Sequence, residues 1–150
     1  MPGPGNVEGM TNTPEKIVYT ARATVTGGRE GRAVSEDGVL DLTLTAPKEV
    51  GGPGTGTNPE QLFAVGYGAC FTGALHAVAK QQGEDVTGAT VTVDVGLGPE
   101  GDSFGITADL IIDLPGLARE EAEALVAAAH QICPYSNATR NNLDVGLAVA

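Results

Sequence analysis

Two side chains in this 150-residue chain could act as nucleophile and redox partner: Cys70 and Cys133, its only cysteines. Cys70 lies in an apolar stretch, TNPEQLFAVGYGACF, Thr57 to Phe71. A cysteine in such a place often serves only as a small hydrophobic filler. If it reacts, the reacting species is the thiolate, and a thiolate among apolar residues needs a nearby cation. Cations are scarce here, with Lys and Arg together numbering eight. Arg22, Arg29 and Arg32 fall in one short stretch, and Arg140 follows Cys133. An arginine beside Cys70 would lower its pKa and could orient an oxygen-bearing substrate. Buried there, it would need an acidic partner, for which Glu60 is a candidate. The chemistry within reach of this set is thiol oxidation and thiol–disulfide exchange.

These residues need elements to position them. The β-branched KIVYTARATVT reads as a strand, GGREG as a turn, and RAVSEDGVLDLTLTAP as two further strands around a turn at Glu36–Gly38. Leu40, Leu42 and Leu44 would share one face. A helix follows. Asn58 suits its N-cap, Pro59 its first position, Gln61 the capping-box position, and Gly83 its C-terminal stop. Apolar or small residues occur all round it from Leu62 to Ala79, which predicts burial on most sides. ATVTVDVGL and FGITADLIIDL alternate as two strands joined by the loop GPEGDS. A second helix over about 118–132 places Ala122, Leu125, Val126, Ala129 and Ile132 on one stripe. Pro134 ends it at Cys133. Cys133, four residues after Ala129, falls on that stripe, so both thiols are expected to point inward from helices. LDVGLAVA forms a last strand. The order βββ-α-ββ-α-β is an α+β pattern, antiparallel in its hairpins.

Several functions are disfavoured. A net charge of -11 argues against nucleic acid, which needs clustered Lys and Arg. No run of about 18 apolar residues suggests a membrane span. Residues 1–14, rich in proline and glycine, read as a flexible extension without secretory character, and the remainder, 15–150, as a single domain. These readings point to the cytoplasm, where permanent disulfides are rare. The loop KEVGGPGTGT lacks the Lys-Ser/Thr ending of a phosphate cradle. Cys70, His76, His130 and Cys133 add up to a zinc set by type. However, Cys70 and His76 stand six positions apart on one helix, about 240° and 9 Å. They cannot reach one metal, and neither histidine is assigned a role.

GGPGTGTNPEQLFAVGYGACF and CPYSNATRNN, preceded by IVYTARATVTGGREG, closely resemble the organic hydroperoxide resistance proteins, the Ohr branch of the OsmC/Ohr family. The likeness runs from about Lys16 to the C-terminus. It implies antiparallel β-sheets packed around a buried central helix, in an intertwined homodimer with active sites at the subunit interface. It also implies a thiol-dependent peroxidase that reduces alkyl and fatty-acid hydroperoxides to alcohols. Such an enzyme has no bound cofactor or metal and is recycled by the dihydrolipoyl dithiol of a lipoylated protein. By motif position, Cys70 matches the peroxidatic cysteine and Cys133 the resolving cysteine. Arg29, in TGGREG, matches the arginine that holds the thiolate, and Glu60, in NPEQ, the carboxylate that positions that arginine. The sequence departs from the pattern at Gly68, where Ala or Ser is commoner, and at Asn141, where Gly is usual. Glu60 and Cys70 would lie about 15 Å apart along a straight helix. Either an arginine bridges them or the helix breaks near Gly66; a bridge with some local bend is favoured. Apolar neighbours such as Leu62, Phe63, Phe71 and Ile132 would favour organic peroxides over hydrogen peroxide. A lipid-binding or sensing module is the alternative, distinguished by the lack of steady peroxide turnover.

Overall fold

The computed structural model describes residues 13–150. The expected extension over 1–14 falls almost wholly outside them. Two compact units follow one another in the chain, one running to Asn58 and the other spanning Pro59–Ala150.

The first unit is a three-stranded antiparallel meander of β1 (Ala23–Thr26), β2 (Gly31–Ser35) and β3 (Asp41–Leu44), followed by a short 3-10 turn at Lys48–Val50. The first strand is shorter than its β-branched sequence predicts. Pairing with β2 covers Ala23 to Thr26, with one further backbone bond from the Glu36 N–H to the Arg22 carbonyl at 2.8 Å. Val18 and Tyr19 are 87% and 78% exposed. Leu40 likewise lies outside β3 and is exposed, while Leu44 is buried. The β1–β2 turn needs its glycines. Gly27 and Gly28 take left-handed φ values of 77° and 60°, and a Cβ at Gly31 would collide with the Thr26 carbonyl. Arg29 follows directly, and Glu30 accepts the Ala46 N–H at 3.0 Å, tying the turn to the segment after β3.

The second unit holds α1 (Pro59–Gln82), β4 (Thr90–Glu100), β5 (Ser103–Asp113), α2 (Arg119–Ile132), α3 (Pro134–Thr139) and β6 (Val145–Val149). The helix α1 is continuous, which excludes the break near Gly66. It ends as its sequence predicts: Gly83 is left-handed at φ 70°, its N–H meets the Lys80 carbonyl, and the Glu84 N–H meets that of Ala79. The β4–β5 hairpin is tighter than expected, with only Gly101 and Asp102 between the strands.

Two further expectations need correction. The sheets are not wholly antiparallel. The order is β4-β5-β6, and β6 pairs with β5 in parallel. The reason is topological: the chain returns through α2 and α3, and a helical crossover brings the next strand back in the same direction. Nor is α1 buried on most sides within this chain. Only one stripe, Tyr67, Phe71, Ala74, Leu75, Val78 and Ala79, enters the core, and Val65 on another face is 70% exposed. That stripe packs with Leu110 and Ile112 of β5 and with Ala122, Leu125, Val126 and Ala129 of α2. By length and composition alone α1 is apolar enough to cross a membrane, with mean hydropathy 1.5, contrary to the sequence expectation. Here a third of that apolar window is buried inside the protein.

Candidate active site

The site is built where α1 passes the junction of α2 and α3. Pro134 disfavours the helical conformation at the residue before it. Cys133 is therefore extended, at φ -65° and ψ 122°, and serves both as the end of α2 and as the start of α3. Its N–H still reaches the Ala129 carbonyl at 2.9 Å, and its carbonyl accepts the Asn137 N–H at 2.9 Å. One extended residue thus joins two helices, and its side chain is fully buried. The short helix α3 was not anticipated. The available signal was Pro134 itself, which is as well suited to a first helical position as to ending a helix. Asn141, just past α3, takes a left-handed φ of 66°. It does there what a glycine would do, as expected of an asparagine in that place.

Cys70 Sγ and Cys133 Sγ lie 3.7 Å apart, and both thiols are free. The two residues are separated by 63 positions in sequence. A disulfide bond needs about 2.05 Å between sulfurs, so a small side-chain movement would close the pair. Cys70 is partly accessible whereas Cys133 is not. Burial pushes the Cys70 thiol above the ordinary thiol range; the Tyr135 backbone N–H acts in the opposite direction, and neighbouring Cys133 adds to the rise. A partly buried sulfur close to a second sulfur is well placed to be trapped once oxidised. It is not by itself an activated thiolate.

Three aromatic rings cluster between α1 and α3. Phe63, Tyr67 and Tyr135 stack edge-on or tilted with centroids 5.5–6.2 Å apart, using three of the six aromatic residues of the chain. Gly66 makes room for this: a Cβ there would strike the Tyr135 hydroxyl. At Gly68, a Cβ would meet Val93 Cγ2 at an ordinary 3.4 Å. The two glycines should therefore respond differently to alanine. Gly68→Ala is expected to raise stability by about 0.5–1 kcal/mol, the usual helix gain. Gly66→Ala is expected to forfeit that gain by displacing Tyr135, which thermal denaturation of both variants would show.

Beside Tyr135 opens a groove of about 650 Å³, lined by Phe63, Ile106, Pro134, Tyr135 and Leu143 with Glu100 at its edge. Of the apolar residues expected near the sulfur, Phe63 lines this groove. Phe71 is fully buried in the core and is unavailable to a substrate; Leu62 and Ile132 are exposed.

The arginines separate by role. Arg32 forms a two-pronged ion pair with Asp41 at 2.6–2.7 Å, which holds the Asp41 carboxyl below its usual range. Arg22 approaches Glu36 at 4.0 Å. Arg140 donates to the His130 carbonyl and to Asn137 Oδ1, each at 2.6 Å. Arg29 stands in the β1–β2 turn of the first unit, and Glu60 is the second residue of α1. His130, given no role from sequence, hydrogen-bonds Ser136 Oγ through Nδ1 at 2.8 Å. Burial, and then the charge of Arg140, lower its pKa. Among the described residues, no three His, Cys, Asp or Glu side chains converge to hold a metal ion.

Residues 52–148 match the family described as OsmC-like protein. The organic hydroperoxide resistance protein of Xanthomonas axonopodis pv. citri is 55% identical over 140 residues, covering 92% of this chain and 99% of that one. The crystal structure of the organic hydroperoxide resistance protein OhrB of Bacillus subtilis superposes with a TM-score of 0.82 at 46% identity, covering 89% of this chain and 100% of that one. That of an organic hydroperoxide resistance protein from Elizabethkingia anophelis gives 0.85 at 47% identity, covering 90% and 98%.

Proposed function

This chain belongs to the OsmC-like family, among the organic hydroperoxide resistance proteins, and we propose from that footing that it is a cysteine-based peroxidase for organic hydroperoxides. The observation that carries the reading is the 3.7 Å approach of two free thiols held on separate helices. The Cys70 thiolate attacks the terminal oxygen of the hydroperoxide. An S–O bond forms, the O–O bond breaks, and the alkoxide takes a proton to leave as alcohol. Cys70 is then a sulfenic acid. The Cys133 thiol attacks its sulfur, the S–S bond forms, and the hydroxyl departs with the thiol proton as water. An external dithiol, the lipoyl group of a partner protein, returns two electrons and two protons by exchange. No bound cofactor takes part.

The Phe63 and Tyr135 rings and the groove that they line suit an alkyl or fatty-acyl tail. Organic hydroperoxides are therefore expected to exceed hydrogen peroxide in kcat/KM by about 10²-fold or more, since several buried methylenes each contribute about 0.8 kcal/mol. Steady-state kinetics with dihydrolipoamide as donor tests this, and equal rates for both peroxides contradict it. No steady turnover with either would favour the binding-module alternative.

The cation that the thiolate requires is assigned to Arg29, with Glu60 as its acidic partner. This assignment gives a pH prediction. Without a cation, burial keeps the Cys70 thiol above its usual range. Arg29→Ala is expected to shift the thiolate titration upward by about one unit or more, and the peroxide rate should then keep rising to higher pH. Thiolate ultraviolet absorbance against pH measures the shift; an unchanged titration removes Arg29 from the site.

We assign the protein to the cytoplasm and to a homodimer. The exposed apolar residues Val18 and Tyr19 in the first unit, and Val65 on α1, are surfaces that a second copy would cover.

A further inference from the structure

Ser136 is fully buried, and its hydroxyl joins three helices. Tyr67 Oη of α1 lies 2.8 Å from Ser136 Oγ, and His130 Nδ1 of α2 lies 2.8 Å from the same oxygen. Thr139 Oγ1 supports the joint, 3.4 Å from Tyr67 Oη and donating to the Ser136 carbonyl at 3.2 Å. A hydroxyl has one hydrogen to donate and two lone pairs, so it can serve both neighbours at once.

The placement of these residues mirrors that of the thiols. Tyr67 stands three residues before Cys70 on α1. His130 stands three residues before Cys133 on α2, and Ser136 three after it. Residues three apart on a helix are neighbours on one face. The polar bridge therefore links α1 to the α2–α3 junction one turn away from where the sulfurs link them. The junction itself has a single extended residue, Cys133, between its helices. Side-chain ties cross that junction. Arg140 adds another, from the end of α3 back to the His130 carbonyl.

We propose that Tyr67, Ser136 and His130 are positioning residues that set the separation of Cys70 and Cys133, and so govern disulfide closure rather than the first encounter with peroxide. Its place in the catalytic cycle rests on the peroxidase reading, but closure can be measured without peroxide. An oxidised dithiol takes the two electrons and two protons from the pair by exchange, and the S–S bond forms.

The test equilibrates the full chain with buffers of oxidised and reduced dithiothreitol and follows the Cys70–Cys133 disulfide by mass. Tyr67→Phe and His130→Leu are each expected to lower the closure constant about threefold to tenfold, the effect of losing one hydrogen bond, and Ser136→Ala, which removes both bonds, by at least as much. Tyr67→Phe combined with Ser136→Ala should cost little more than Ser136→Ala alone, because both act through one hydroxyl. His130→Asn, which keeps a polar atom near the position of Nδ1, should recover closure to within about twofold. Leu147→Ala on β6, a loss of packing elsewhere, should lower the melting temperature and leave closure unchanged. The proposal is overturned if Tyr67→Phe and Ser136→Ala close like the unaltered protein, or if Leu147→Ala impairs closure equally. The two readings fail separately. Closure that depends on the clamp in a protein consuming no peroxide upholds the clamp and removes the peroxidase. Peroxide turnover with closure indifferent to all three variants does the reverse.

Discussion

Cys70→Ser is expected to eliminate peroxide consumption, with a loss of at least about 10³-fold in rate, the scale seen when an enzyme loses its nucleophile. A serine hydroxyl is almost never ionised near neutral pH. Oxygen also cannot pass through the sulfenic acid that stores the peroxide oxidation. The substitution is close to isosteric at a partly buried position, so the melting temperature should move little. Activity and stability are thus separable in one variant. A folded Cys70→Ser protein that still turned over organic hydroperoxide would contradict the assignment of the nucleophile.

Cys133→Ser should behave differently. Its first oxidation by peroxide is expected to match the unaltered protein within about twofold, because Cys70 keeps its surroundings. What disappears is the trap. The sulfenic acid then persists and meets further peroxide, and Cys70 goes on to the sulfinic acid, which simple thiols do not reverse. Inactivation during turnover should set in after about tenfold fewer cycles. The fold is expected to survive. Cys133 starts α3 without a side-chain cap, and serine is a favourable residue at such a position. Cys133→Ala guards against a serine turned toward the helix end. Stopped-flow oxidation followed by intact mass separates the two steps. Equal resistance of both variants and the unaltered protein to excess peroxide would remove the resolving role.

The inward direction of both thiols was legible in sequence because it rests on local rules. The start of α1 at Pro59, the end at Gly83 and the stripe of α2 each follow from a cap, a turn or a 3.6-residue period. The alternation of β4 and β5 was equally readable. The parallel pairing of β6 was not, because strand direction depends on the path of the crossover rather than on the strand's own residues. The exposure of Val65 was misjudged for a related reason. Apolar residues all round a helix show what it is compatible with, while the number of elements packed on it is a tertiary matter. The helix α3 is hard to read from sequence because Pro134 suits the end of one helix as well as the start of the next. So is the role of His130, whose partner Ser136 is positioned by that short helix. The sulfur–sulfur distance could not be read at all, since 63 residues separate the pair. Sequence supplied one inward-facing stripe, on α2, and an α1 apolar all round; only the packing of three helices converts them into 3.7 Å.

The central claim is that these two sulfurs carry peroxide oxidation as a disulfide. Its most direct test adds an equimolar amount of an organic hydroperoxide to the fully reduced protein without oxygen, then maps thiols and disulfides by peptide mass. The account predicts one Cys70–Cys133 disulfide within a single chain and one alcohol for each peroxide consumed. Unconsumed peroxide with both thiols free, or oxidised Cys70 beside a persistently free Cys133, would contradict it.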